Sequence, residues 1–200
     1  RNDIENFDFS TIDNPGFELM RRLTHTEYDN TIRDLFGVRL DVTERFPVEL
    51  IGNSGFENSS NTLFLQSSLM ERYIGAAQTI VDLALPAEPI TAAHFRTREL
   101  IYTKIPDSIV SEKEASEIVL SNFLSQAYRR PLIDEELLAA TQQFTLARSN
   151  GLSYESSIKQ VIQAALISPK FLLRVESGRE SLVSYQIKEW VLASRLSYFL

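Results

Sequence analysis

The chain has no cysteine among its 200 residues, and only two histidines, two methionines and one tryptophan. Without cysteine there are no disulfides and no thiolate ligands for a metal, although a chain without thiols is compatible with either redox compartment. The two imidazoles, His25 and His94, lie far apart in sequence and cannot build a multi-histidine metal site. The seven glycines form neither a phosphate-cradling loop nor a nucleophile elbow. There is no dense lysine and arginine stripe, and the formal net charge is -7, so the electrostatic footprint of a nucleic-acid binder is missing. No apolar run approaches the roughly 20 residues that a membrane-spanning helix requires.

What is present is ordinary for a globular protein: 44% hydrophobic and 24% charged residues, in a chain long enough to bury a core as one compact domain or two small ones. The opening Arg1-Asn2-Asp3-Ile4-Glu5 has neither an initiator methionine nor a signal-peptide apolar region. Ser184 to Leu200 reads as a helix whose apolar face, Ile187, Trp190, Val191, Leu196 and Phe199, runs to the last residue without a cap. Both ends lead us to expect a piece of a longer protein.

The periodicity predicts an all-α chain of about six or seven helices in an irregular bundle, with one long ordered loop and at most a short β-hairpin. Residues 1–18 are an acidic leader or linker, turned at Asn14-Pro15-Gly16. Residues 19–110 form an N-terminal helical domain with the long loop. Thr24 and Glu27 make a capping box ahead of Tyr28, Ile32, Leu35 and Phe36, and Gly37 closes that helix. Pro47, Gly52, Gly55 and the polar run Asn58 to Asn61 place the loop at 38–66. Leu69, Tyr73, Ala76, Ala77, Ile80 and Ala84 mark the next helix, and residues 90–105 are the only stretch of strand character. Residues 111–180 form a helical-hairpin domain, capped by Ser111, Asp134 and Ser153 and broken at Arg129-Arg130-Pro131 and Ser168-Pro169. Residues 181–200 are the first helix of a further, truncated domain.

Three blocks stand in order along the chain: Arg22 to Tyr28 with Asn30 to Leu35, Phe46-Pro47 and Gly55 to Asn58; then Ala127-Tyr128-Arg129-Arg130-Pro131-Leu132 with Ser168 to Leu172; then Ala193 to Leu200. The set resembles the planctomycete-type cytochrome c-associated proteins, multidomain chains built from domains of unknown function. Residues 19–85 resemble DUF1587, residues 118–176 DUF1595, and residues 183–200 the start of DUF1592. The resemblance implies an exported protein, periplasmic or extracellular, with c-type haem in other segments of the parent chain. Without Cys-x-x-Cys-His this stretch cannot covalently hold such a haem, and no cofactor is expected within it. Glu57 departs from the pattern, which usually has aspartate there.

Four sets of residues are candidate sites. Arg22, Glu27, Arg33 and Asp34, with Arg21, crowd the first helix. They can bind an anion or a haem propionate, or serve as a structural network. The loop from Gly52 to Asn58, with Glu57 and Asn58, can join Glu49 as oxygen ligands for calcium, or be a compact turn-rich loop. His25, in the first helical turn, can ligate a haem or metal supplied by a neighbour, or stand at the surface. Arg129, Arg130 and Arg195 can meet a partner, or pair internally, Arg195 with Glu27 or a helix carbonyl. The tyrosines recur at the spacing of core positions.

The leading expectation is a non-catalytic helical scaffold or interaction region of an exported cytochrome c-associated protein. Its partners are neighbouring domains of the same polypeptide, with a polysaccharide or a redox protein as further candidates, and neither nucleic acid nor a membrane span. The alternative is an enzyme domain of extracellular redox chemistry or polysaccharide breakdown, with a cleft built from Arg22, Glu27, Arg33, Glu57 and Asn58. A third is an interaction module marked by one exposed apolar patch.

Overall fold

The computed structural model describes residues 21–49, 67–174 and 188–199. In chain order their elements are β1 (Arg21–Arg22), α1 (His25–Phe36), a single 3-10 turn (Val42–Arg45), α2 (Ser67–Ala84), α3 (Ala92–Ile101), α4 (Glu112–Ala127), α5 (Asp134–Ser149), α6 (Tyr154–Leu166), α7 (Pro169–Leu172), β2 (Leu173–Arg174) and α8 (Glu189–Phe199). Eight helices and one two-stranded antiparallel sheet make the described residues all-α, as the periodicity predicts. The Gly52 to Asn58 loop, the leader and the beginning of the last predicted helix lie outside the described residues.

Local chemistry sets most helix ends. The Thr24 hydroxyl accepts the Glu27 N–H at 3.1 Å, and the Glu27 carboxylate accepts the Thr24 N–H at 2.8 Å, which satisfies two donors that the first turn leaves unpaired. Gly37 ends α1 in the left-handed conformation (φ 67°), its N–H donating to the Arg33 carbonyl at 2.8 Å. Ser111, Ser153 and Ser168 cap the starts of α4, α6 and α7, their hydroxyls accepting the N–H groups of Glu114, Ser156 and Lys170, and Pro169 opens α7 where a missing N–H is harmless.

Three expectations are corrected. Residues 92–101 are helical rather than extended. Thr91 caps the helix by accepting the His94 N–H at 3.2 Å, and Thr97 and Ile101, one turn apart, are its buried pair. The Thr97 hydroxyl donates to the Phe36 carbonyl at 2.8 Å, and Arg98 forks onto Glu155 of α6, so tertiary contacts override the strand preference of Thr and Ile. Asp134 does not cap α5. Ile133 holds that position, and its N–H donates to the Glu136 carboxylate at 3.3 Å. Leu138, which helical spacing groups with Leu137, Thr141, Phe144 and Ala147, is 59% exposed.

The only strand pair among the described residues joins distant parts of the chain: β1 runs antiparallel to β2, with Arg21 opposite Arg174 and Arg22 opposite Leu173. Leu23 N–H extends it by donating to the Leu172 carbonyl at 2.8 Å. Beneath it one continuous core runs through α1, α2, α4, α5, α6 and α7. Tyr28 sits at its centre, with ring centroids 5.1 Å from Tyr73 and 5.6 Å from Phe171. Each such fully buried large side chain contributes about 1.5–3 kcal/mol relative to exposure.

Candidate functional site

Two polar clusters flank the strand pair. In the first, β1 and the start of α1 bring Arg21, Arg22, His25 and Glu27 together with Glu49. The Arg21 guanidinium grips Glu27 through two bonds of 2.6 and 2.7 Å. Burial pushes the Glu27 carboxyl up, but the Arg21 fork and the Thr24 N–H outweigh it and hold the group below its ordinary value. Arg22 Nη1 donates to Glu49 Oε1 at 2.6 Å and to the Leu23 carbonyl at 2.8 Å. Glu49 Oε2 in turn accepts the His25 N–H at 3.1 Å. His25 Nε2 stands 3.6 Å from Glu49 Oε1, and its ring lies edge-on to Phe46 with centroids 5.4 Å apart. His25 is thus half-buried, not at the surface. Burial lowers its pKa, an effect that Glu49 only partly offsets.

Among the described residues four buried side-chain polar atoms make no hydrogen bond, Arg22 Nε, His25 Nε2, Tyr28 Oη and Tyr73 Oη, and all four belong to this cluster. Burial pushes the Tyr73 hydroxyl up to about 12 against the pull of the adjacent Arg22, whose approach falls short of hydrogen-bond geometry. An unpaired buried polar group costs about 1–3 kcal/mol. The fold therefore concentrates this cost in one place.

The second cluster lies where α4 ends. Arg129 adopts the left-handed conformation (φ 58°), unusual for a residue with a side chain. That turn aims its guanidinium at the end of α7: Nη2 donates to the carbonyls of Phe171 (2.8 Å), Lys170 and Leu173 (both 3.3 Å), and Nη1 to the Tyr198 hydroxyl (3.2 Å). Arg130 forks onto Glu136 at 2.6 and 2.8 Å, and Lys170 Nζ reaches the same carboxylate at 2.6 Å. The Arg130 bonds, more than any other contact, draw the Glu136 pKa down to about 2. Beside these groups opens a cavity of about 260 Å³, walled by Tyr128, Arg129, Arg130, Lys170, Trp190 and Arg195, among others.

Of the residues singled out in the sequence, Arg22 and Glu27 share the first cluster, and Arg129 and Arg130 the second. Arg33 and Asp34 pair with each other at 2.8 and 2.9 Å on the solvent side of α1, 49% and 68% exposed, and do not converge on Arg22 or Glu27. Glu57 and Asn58 lie outside the described residues. Within those residues no three histidine or carboxylate side chains gather as a metal site, and the described part of the calcium set, Glu49, is engaged by Arg22 and His25. Sequence reasoning missed Glu136 and Lys170, whose only signal was their distance from an Arg-Arg pair across a proline. Tyr28 and Tyr73 read simply as core, because helical spacing marks burial and is silent about an unmatched hydroxyl.

Residues 21–86 match the family model PSD3, a protein of unknown function (DUF1587), and residues 115–176 match PSD5, a protein of unknown function (DUF1595). The chain carries one segment of each kind. No curated protein and no solved structure matches it. The DUF1587 segment supplies β1, Glu49 and the buried tyrosines, and the DUF1595 segment supplies β2 and the Arg129 cluster. The strand pair is therefore a bond between the two.

Proposed function

We propose that this chain is a non-catalytic helical scaffold of an exported multidomain protein associated with c-type cytochromes, in which haem is carried by other segments of the parent. The observation that carries the reading is how the charged groups are used. Arg21, Arg22, Arg129 and Arg130, the residues best suited to stabilising charge in a reaction, are pinned to carboxylates or carbonyls within the fold. Bidentate arginine pairs fix geometry as well as adding energy. Here each pair stiffens one segment internally, while the strand pair and the Leu23 N–H to Leu172 carbonyl bond join the DUF1587 and DUF1595 segments over one core, which is what a spacer between redox domains needs. The order of the three sequence blocks supports the export and the cytochrome association.

The test is a titration of the chain with haem, followed by absorption. The reading expects the spectrum of free haem throughout. A shifted Soret band that saturates, and that disappears in His25→Gln, would make this a cofactor domain and overturn it.

A further inference from the structure

Three cations, Arg129, Arg130 and Lys170, gather near the end of α4 with one carboxylate, Glu136, among them. Arg130 and Lys170 share Glu136, and the four acceptors of Arg129 are all neutral, three carbonyls and a phenol. Two positive charges are left without a carboxylate, in a chain whose net charge is -7. All three cations line the same cavity of about 260 Å³, and among the described residues none that lines it is acidic. Arg174 and Arg195 add their cationic side chains to its wall, while Tyr128 and Trp190 add aromatic surface.

We propose that this cavity is a binding site for a small oxyanionic ligand, a carboxylate or phosphate compound, held by Lys170 and the guanidinium groups of Arg129 and Arg130. The internal bonds of these cations do not disqualify them. A guanidinium carries five N–H donors, and Arg129 Nη1 and Nη2 each keep a fixed direction because the α7 carbonyls hold the group. Lys170 has three donors, and only one is needed by Glu136. Such a site is preorganised: the protein has already met the ordering cost, so an entering oxyanion loses little to rearrangement. The aromatic wall favours a ligand with a ring or carbon skeleton over a bare ion. This inference does not depend on the scaffold reading, since a spacer with or without redox neighbours can carry it.

The sole tryptophan, Trp190, lines the cavity, so its fluorescence reports occupancy directly. The intact 200-residue protein is titrated with digalacturonate, citrate and inorganic pyrophosphate at low ionic strength, each matched by sodium chloride of equal ionic strength. The expected result is a saturable change with at least one probe and none with chloride. Response to digalacturonate or citrate alone identifies a carboxylate ligand, and response to pyrophosphate alone a phosphate ligand. Lys170→Gln, at a side chain that is half exposed, should weaken binding about tenfold. Ser194→Glu places a negative charge on the cavity wall without touching the Glu136 bonds, and should abolish binding while circular dichroism stays unchanged. The proposal is overturned by no saturable change with any probe, by an equal change with chloride, or by affinity that survives Ser194→Glu.

Discussion

Arg21 and Arg174 stand directly opposite each other in the strand pair, and the carboxylate of Glu27, forked by Arg21, is close enough to Arg174 for its charge to be felt. Like charges facing across a strand pair destabilise it. Glu27 offsets this, and also closes the capping box of α1, so one side chain serves the strand, the helix and the pairing of the two family segments.

Glu27→Gln should therefore cost on the order of 3–5 kcal/mol, the range for breaking a buried pair from one side. Urea denaturation at neutral pH reads it. A loss below about 1 kcal/mol, the size of a cap alone, would show that the Arg21 pair contributes nothing.

Glu136 links acid to stability. Its folded pKa of about 2 lies below the ordinary 4.5, so it stabilises the fold above pH 4.5 and loses that contribution as pH falls from 4.5 towards 2. The full effect is at most about 3 kcal/mol, reduced by screening because Arg130 and Lys170 reach solvent. Urea midpoints followed from pH 6 to pH 3 should fall more steeply for the wild type than for Glu136→Gln, whose amide cannot titrate.

His25 works in the same direction at higher pH. Its folded pKa is below 6.5, so the unfolded chain binds the proton more readily, and stability declines as pH drops through 6.5. Thermal melts at pH 7.5 and 5.5 should show a drop for the wild type that His25→Gln largely removes. An unchanged drop in that variant would place the titration elsewhere.

The unpaired hydroxyls of Tyr28 and Tyr73 predict an uncommon result for a buried site. Tyr28→Phe and Tyr73→Phe remove a polar atom that has no partner, and each should be neutral or stabilising by up to about 1 kcal/mol. Losses above about 1 kcal/mol, measured by denaturation, would mean that each hydroxyl is in fact satisfied.

The helices were legible because their determinants are local. Thr24 and Glu27, Gly37, Ser111, Ser153 and Ser168-Pro169 act within one turn of themselves, and 3.6-residue spacing marks which face is buried. Helix α3 was not legible: what makes Thr97 and Ile101 a helical pair is the Phe36 carbonyl and Glu155, 61 and 57 residues from their partners Thr97 and Arg98. The candidate sites divide in the same way. Composition picked out Arg22, Glu27, Arg129 and Arg130 as the groups to follow, but could not choose between pairing and ligand binding.

By itself the sequence determined an all-α chain, the start and stop of most helices, and the ordered blocks that the DUF1587 and DUF1595 segments contain, because each depends on residues a few positions apart. Only the tertiary structure decided that Arg21 faces Arg174, that Glu49 goes to Arg22, and that Arg130 and Lys170 share one carboxylate next to Arg129 and a cavity. Those outcomes rest on contacts between distant segments, whose charges are compatible with many pairings until packing of the core selects one.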